Sequence, residues 1–247
     1  MYRLTKQDII LELRKIGIKH GMELEVHSSL KSFGYVEGGA ITVIEALKEA
    51  VGSNGSIFMP ALRLSHQLPL SETDKKLGLT CKIKILEPDA EDSAMGLIAD
   101  TFRQMSDVAT GDGVFRVSAW GKSAEKVSTG FQYLIDNGGK ALLLGVDIYR
   151  LTAMHYVEDL LPQKIRDIFK PSDEVNNLYP PDRWFIETGV PSVAPWYTIQ
   201  AKAFEKGVIK LGQIGNCKCM FFDIWDVVGL YQKELKNNPY QLYGFEP

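Results

Sequence analysis

The sequence predicts an α/β fold in which a mainly parallel sheet is covered by helices on both faces. Three apolar segments are predicted to be buried strands: residues 23–27, residues 55–60, which end in a proline, and residues 141–146, the clearest strand of the chain. Continuous apolar strands that alternate with helices are typical of parallel sheets buried on both sides. The 247 residues suffice for one large domain of this kind or for two small ones.

A helix precedes the first strand. Thr5 is a typical N-cap for a helix that continues through Lys15, and Gly17 ends it. After the first strand, a second helix is predicted to begin at Gly38 and Gly39. Its apolar residues share one face at helical spacing: Ala40, Val43, Ile44 and Leu47.

The apolar periodicity fails between residues 62 and 92. This segment is polar, contains Pro69 and Pro88, and is long enough to be a functional lid or an insertion. We therefore expect a lid-like insertion at residues 62–92 that interrupts the sheet.

The remaining elements are less regular. Asp92 or Ser93 is predicted to cap a helix that continues through Arg103, because both are good N-cap residues. Residues 170–196 contain five prolines and two tryptophans with little periodicity, so we expect irregular structure packed against the sheet. The other predicted elements are short helical turns at residues 122–130, a helix at 197–207, a β-rich stretch at 208–222 and a terminal helix from Asp223.

The composition argues against several classes of protein. A formal net charge of −3 argues against a general polyanion binder, which would need a basic face, so we expect no nucleic-acid partner. The three cysteines are odd in number, and Cys217 and Cys219 are too close in sequence to suggest a disulfide framework. Neither a signal peptide nor an apolar run of membrane length is present. We expect a cytoplasmic protein that does not cross a membrane.

A polar turn follows the first strand. His27, Ser28, Ser29 and Leu30 end the strand, and the glycine pair 38–39 precedes the next helix. Hydroxyl groups and free backbone N–H groups at the start of a helix form an anion site suited to phosphate or pyrophosphate. The alternative is a glycine-containing connection that only turns a strand into a helix, since a Gly-Gly pair is less specific than a full dinucleotide motif.

A histidine and a glutamate follow the strand at residues 141–146. His155 and Glu158 are three residues apart, so both project to one side of a helix. A carboxylate beside an imidazole raises its basicity and orients its ring, as a general base requires. Ligands of open α/β sheets also gather outside the carboxyl ends of the strands.

Other interpretations of this pair stay open at this stage. His155 and Glu158 are also compatible with a surface ion pair or with a buried histidine satisfied by its neighbour. A metal site would have to borrow His27 and a carboxylate from the insertion, and no metal-ligand spacing is present, so we expect no metal. Ser28 and Ser29 are compatible with nucleophiles served by His155 or with donors to a ligand oxygen, but no Gly-x-Ser-x-Gly elbow occurs.

The insertion ends in an acidic run. Four of the six residues 87–92 are carboxylates: Glu87, Asp89, Glu91 and Asp92. Such a run is commonly a solvated face near a helix start, where negative charge is favourable. Beside an active site it would attract a polycationic substrate and orient its ammonium groups.

Together these residues resemble the aminoglycoside N3-acetyltransferase family, whose members use acetyl-coenzyme A and fold as three-layer α/β/α sandwiches. The similarity extends over nearly the whole chain, which implies a single domain over residues 1–247. The matching blocks are Val-His-Ser-Ser-Leu-Lys at residues 26–31, Gly34, and residues 36–40, 55–60, 93–96, 101–103, 119–122, 143–146, 152–158 and 214–216.

The resemblance implies a role for each part of the site. His155 would deprotonate the acceptor amine, and Glu158 would orient it. The amine would attack the thioester directly, while backbone donors stabilise the oxyanion. The residues expected to bind acetyl-CoA are His27, Ser28, Ser29, Leu30, Lys31, Phe33, Gly38, Gly39, Arg116, Val117 and Ser118.

The chain departs from the family pattern at two places. Members commonly have Arg-Ser-x-His-Pro-x-x-Ser where this chain has residues 111–121, without that histidine and proline. Members often have Phe-Asp-Pro where this chain has Leu86-Glu87-Pro88, so we expect the longer carboxylate of Glu87 to assist the base or to grip the substrate.

The resulting hypothesis is a cytoplasmic enzyme that moves an acetyl group from acetyl-CoA to the 3-amino group of an aminoglycoside. Asp89, Glu91 and Asp92 are the expected substrate contacts, and a homodimer is a possible assembly. The alternatives are an acetyltransferase of another small amine, a protein that binds coenzyme A or an antibiotic without reaction, and a metal-dependent hydrolase that uses His27, His155 and a carboxylate.

Overall fold

A computed structural model describes residues 3–189 and 193–246. Its strands are β1 Glu23–Ser28, β2 Ser56–Pro60, β3 Leu79–Lys84, β4 Ala109–Thr110, β5 Val117–Gly121, β6 Lys140–Leu144, β7 Trp184–Thr188, β8 Lys210–Ile214 and β9 Cys217–Asp223.

Helices connect most of these strands. The α-helices are α1 Lys6–Ile16, α2 Gly39–Val51, α3 Glu72–Lys76, α4 Leu97–Arg103, α5 Gln132–Asp136, α6 Gln163–Phe169, α7 Asp173–Leu178, α8 Ala194–Glu205, α9 Ile224–Asn237 and α10 Pro239–Tyr243. Short 3₁₀ helices span Leu30–Phe33, Ala124–Thr129, Ile148–Arg150 and Thr152–Leu160.

Seven strands form the central sheet in the order β4-β5-β2-β1-β6-β9-β8. The three middle strands β2, β1 and β6 pair in parallel, whereas β5 and β9 run in the opposite direction and pair antiparallel with their neighbours. Five of the seven strands therefore point the same way, which confirms the predicted α/β fold with a mainly parallel sheet. The β-rich stretch after residue 208 is the antiparallel hairpin β8–β9.

Side chains of the middle strands alternate between two separate cores. Leu142 and Leu144 of β6 join a core with α1, α2 and α4, whereas Ala141 and Leu143 join a core with α8 and α9 on the opposite face. Because successive side chains of a strand point to opposite faces, an almost uninterrupted apolar strand supplies both cores. This arrangement is the predicted sandwich of three layers.

The first helix forms as its sequence predicts. The Thr5 hydroxyl accepts the Asp8 N–H, and the Asp8 carboxylate accepts the Thr5 N–H, so a complete capping box begins α1. Gly17 ends it with φ 117°, a left-handed conformation that favours glycine.

The predicted start of the helix through Arg103 is wrong. Its N-cap is Gly96, and α4 begins at Leu97. Ser93 instead donates its backbone N–H and its hydroxyl to the buried carboxylate of Asp100, each at 2.8 Å. These bonds hold residues 93–96 as a loop over the first turn of the helix.

A second sheet corrects the prediction of irregular structure at residues 170–196. Strand β3, inside the predicted insertion, pairs antiparallel with β7, which lies about a hundred residues later in the segment 170–196. Both strands are short and β3 contains two lysines, so neither has a strong apolar signal of its own. Residues 190–192 of that segment lie outside the described residues.

A buried ion pair stabilises this small sheet. The Asp74 carboxylate is fully buried and accepts hydrogen bonds from the Tyr179 hydroxyl and from Lys82 Nζ. Hydrogen bonding by Tyr179 outweighs burial and lowers the pKa of Asp74 far below its usual value. The contact joins α3 and β3 to residues that follow α7.

Candidate active site

A cleft of about 800 Å³ lies at the carboxyl ends of the three parallel strands. Strands β1, β2 and β6 all end there, at the position where ligands of open α/β sheets are usually bound. The residues that line it are 26–31, Gly34, Pro60, Leu62, His66, 94–97, Ala99, Gly145, Val146, Tyr149, Arg150, Thr152 and His155.

The first wall of the cleft is the turn after β1. The Ser29 N–H donates to Leu144 O at 2.9 Å, so the end of β6 fixes the turn. The Ser32 hydroxyl donates to Ser29 O at 2.7 Å and closes it. Ser28 and Ser29 are half-buried and Lys31 is exposed. The hydroxyls and the lysine are the groups of this wall that suit an anionic ligand.

The opposite wall is the 3₁₀ helix Thr152–Leu160. His155 Nδ1 lies 2.8 Å from Glu158 Oε2, as expected for side chains three residues apart on such a helix. The His155 side chain is 52% exposed and stands edge-on to the Trp196 ring, with 4.7 Å between the ring centroids. One ring edge is therefore oriented by a carboxylate while the side chain stays open to solvent.

Carboxylates dominate the electrostatics around this histidine. Burial within the cleft lowers the pKa of His155, but the hydrogen bond and charge of Glu158 together with the charges of Glu187 and Glu25 outweigh it and raise the pKa. Burial and the charge of Glu158 raise the pKa of Glu187 in turn. The net result is a histidine whose pKa lies above its usual value.

Two tyrosines support Glu158 through a chain of hydrogen bonds. The Tyr231 hydroxyl donates to Glu158 Oε1 at 3.3 Å and lies 2.6 Å from the Tyr243 hydroxyl. Burial raises the pKa of both phenols, so they remain protonated donors at neutral pH. This support fixes the carboxylate that in turn orients His155.

Strand β1 contributes a second histidine to the cleft. His27 Nε2 lies 2.8 Å from Glu25 Oε1, and the His27 ring is almost fully buried. The N–H groups of Thr152 and Ala153 point to this pair, at 3.3 Å from His27 Nε2 and 3.1 Å from Glu25 Oε1. The two histidine–carboxylate pairs of the cleft are thus joined through the start of one 3₁₀ helix.

The structure brings together only part of the predicted coenzyme-binding set. His27, Ser28, Ser29, Leu30 and Lys31 line the cleft together with His155. The remaining members lie outside its lining: Phe33, Val117 and Ser118 are buried in the interior, Gly38 and Gly39 begin α2, and Arg116 is half-buried. Their part in coenzyme binding stays a prediction.

The predicted acidic run lies on the surface near the cleft but not in its lining. Glu87, Asp89, Glu91 and Asp92 are all exposed. Three arginines donate to main-chain carbonyls of residues 86–91 and hold this part of the insertion against the body of the protein: Arg63, Arg103 and Arg116. The predicted catalytic role of Glu87 and the substrate contacts of the other three stay predictions.

Several groups at the site were not identified from the sequence. The Trp196 ring of α8 contacts His155, and the charge of Glu187 on β7 raises the pKa of His155; no local pattern indicates that these elements lie beside the cleft. Glu25 did leave a signal, because it is two residues from His27 and the side chains of a strand at this spacing share one face.

Within residues 3–189 and 193–246 there is no group of three or more His, Cys, Asp or Glu side chains arranged to hold a metal ion. The three cysteines are free thiols. No helix in the described part of the chain has the length and apolar character needed to cross a lipid bilayer.

Comparison with known proteins assigns the fold and the family. A family model described as aminoglycoside 3-N-acetyltransferase matches residues 26–236. The SPbeta prophage-derived aminoglycoside N(3′)-acetyltransferase-like protein YokD of Bacillus subtilis is 30% identical over 95% of this chain and 93% of its own length.

Solved structures have the same fold at lower identity. A mutant of the aminoglycoside acetyltransferase AAC(3)-IVa in complex with a gentamicin superposes with a TM-score of 0.72 at 22% identity, covering 100% of this chain and 93% of the other. AAC-IIIb in a binary complex with CoASH gives a TM-score of 0.68 at 16% identity, covering 95% and 97%.

Proposed function

The chain belongs to the aminoglycoside 3-N-acetyltransferase family, and we propose that it transfers the acetyl group of acetyl-CoA to the 3-amino group of an aminoglycoside. The observation that supports this most directly is the cleft itself, which has an orienting carboxylate and a histidine on one wall and, on the other, a turn whose hydroxyl groups and lysine suit an anionic ligand. The AAC-IIIb complex with CoASH and the AAC(3)-IVa complex with a gentamicin show that proteins of this fold accept both kinds of ligand.

In the proposed reaction His155 is the general base. Its raised pKa makes it a stronger proton acceptor for the ammonium group of the substrate, and Glu158 stabilises the imidazolium that forms. The neutral amine then attacks the thioester carbonyl carbon, so no covalent enzyme intermediate is needed.

The coenzyme is proposed to lie along the turn after β1. Ser28 and Ser29 supply hydroxyl groups, and Lys31 and Arg150 add positive charge to the same cleft. These groups match the phosphates and the amide-rich arm of coenzyme A.

The acceptor is proposed to be a polycation. The charges of Glu158, Glu187 and Glu25 act on His155, and this negative potential favours an ammonium-rich molecule beside it. The exposed carboxylates Glu87, Asp89, Glu91 and Asp92 supply long-range attraction for the same substrate.

The test is release of free thiol from acetyl-CoA across a panel of aminoglycosides and simple polyamines. Wild-type protein is compared with His155→Ala and with His20→Ala, a matched control because His20 lies outside the cleft. We expect turnover with aminoglycosides, a loss of about 100-fold or more in His155→Ala, and unchanged turnover in His20→Ala.

Each other outcome has a definite meaning. Equal turnover in His155→Ala and wild type would exclude His155 as the base. Turnover with simple polyamines alone would identify a different acceptor. Coenzyme binding without thiol release from any acceptor would indicate a binding protein instead of an enzyme.

A further inference from the structure

The buried pair Glu25–His27 is unusual for a central strand. Glu25 is completely buried, and His27 is 6% exposed. Both side chains project from the same face of β1, because they are two residues apart. A carboxylate in such a place is costly unless its oxygens are hydrogen-bonded or a positive charge neutralises it.

Only one of the two carboxylate oxygens of Glu25 has hydrogen-bond partners among the described residues. Oε1 is the acceptor for Ala153 N–H and the contact of His27 Nε2. Oε2 has no hydrogen-bond partner among the described residues. The ionisable side chain in direct contact with this carboxylate is that of His27.

The hydrogen bonds also distinguish the two ring nitrogens of His27. The hydrogen bonds of His27 within the described residues all involve Nε2, which leaves Nδ1 without a protein partner. His27 lines the cleft and directly precedes Ser28 and Ser29, the proposed coenzyme contacts. Nδ1 is therefore the atom that can exchange a proton with a bound coenzyme.

We propose that His27 donates the proton that the coenzyme A thiolate takes when it leaves, and that Glu25 is the positioning residue for His27. This inference rests on the proposed function, because it requires acetyl-CoA in the cleft. The two histidines then divide the proton transfers, with His155 acting on the amine and His27 acting on the thiol.

The amine nitrogen forms a bond to the thioester carbonyl carbon, the C–S bond breaks, and its electron pair goes to sulfur. The thiolate takes a proton from His27 Nδ1. The ammonium substrate gives up two protons in all: one replaces the proton lost by His27, and the other is released to solvent through His155.

The first experiment measures coenzyme A ionisation without turnover. An imidazolium beside a thiol favours the thiolate, so we expect the ultraviolet thiolate absorbance of bound CoASH to be stronger in wild type than in His27→Gln at one neutral pH. The other cleft residues that can be cationic, Lys31, His66, Arg150 and His155, are the same in both proteins.

The second experiment measures kinetics in the same variants. We expect His27→Gln to lower kcat by about 100-fold with a change in the KM for acetyl-CoA of less than about threefold. Glu25→Gln keeps the shape but removes the charge, so we expect a smaller loss of about tenfold. Glu23→Gln is the matched control on the same strand, where Glu23 accepts hydrogen bonds from hydroxyl groups, and its kcat should stay within twofold of wild type.

Thermal unfolding of each variant shows whether it folds. If His27→Gln does not fold, the measurements on Glu25→Gln still test the proposal. Equal thiolate absorbance and equal kcat in wild type and the variants would overturn the assignment of His27 while leaving the acetyltransferase in place. If wild type neither binds CoASH nor releases thiol, the proposed function fails and this inference fails with it.

Discussion

Removal of the carboxylate beside His155 tests the proposed base most directly. In Glu158→Gln the side chain keeps its shape and loses its charge. Two unit charges 4 Å apart interact by about 4 kcal/mol at an effective dielectric constant of about 20. His155 is 52% exposed, so solvent screening reduces this to about 1 kcal/mol, as for other exposed pairs. A loss of this size in transition-state stabilisation lowers kcat/KM about fivefold.

The pH dependence of Glu158→Gln has a definite sign. Glu158 stabilises the protonated ring and so raises the pKa of His155; the variant therefore has a lower pKa at this histidine. A base works in its neutral form, so the acidic limb of the kcat/KM profile moves to lower pH. Activity at the optimum falls while the fraction of activity retained in acid rises.

The assay is thiol release from acetyl-CoA over a range of pH, with Asp159→Asn as the control. Asp159 is the adjacent exposed carboxylate, so the control loses the same charge without touching the ring. An unchanged acidic limb and unchanged kcat/KM in Glu158→Gln would refute the role of the pair. An equal change in Asp159→Asn would show that net charge, not contact, is responsible.

Two further predictions concern stability. Gly145 has φ +71°, and a Cβ there would collide with the Ser32 side chain. The control is Gly207, where φ is +67° and a Cβ would meet no atom within 4 Å. Gly145→Ala should therefore lower the free energy of unfolding in urea by about 1–3 kcal/mol more than Gly207→Ala, and equal losses would contradict this contact. Hydrogen bonding by Tyr179 lowers the pKa of buried Asp74, so its stabilisation is present above the unfolded value of about 4 and is lost as pH falls. Asp74→Ala should cost about 3 kcal/mol at neutral pH and flatten the acid dependence measured by denaturant unfolding, and an unaltered pH dependence would disprove the linkage.

The local sequence was enough for the elements whose stabilisation is local or strongly apolar. The capping box at Thr5, the left-handed glycine at position 17 and the buried strands at 56–60 and 140–144 are all where their residue patterns indicate. His155 and Glu158 also meet as predicted, because a spacing of three on a 3₁₀ helix places side chains on the same side.

The sequence by itself therefore determined the fold class, the turn after β1 and the His155–Glu158 pair, since each depends on residues close together in the chain. Only the tertiary structure decided that β3 pairs with β7, that Trp196 contacts His155 while the charge of Glu187 acts on it, and that Glu25 is buried beside His27. These contacts join segments far apart in sequence, or depend on which face of the central sheet is covered. Neither propensity nor periodicity reports such pairings, because their free energy comes from burial and from charges that meet only in the folded chain.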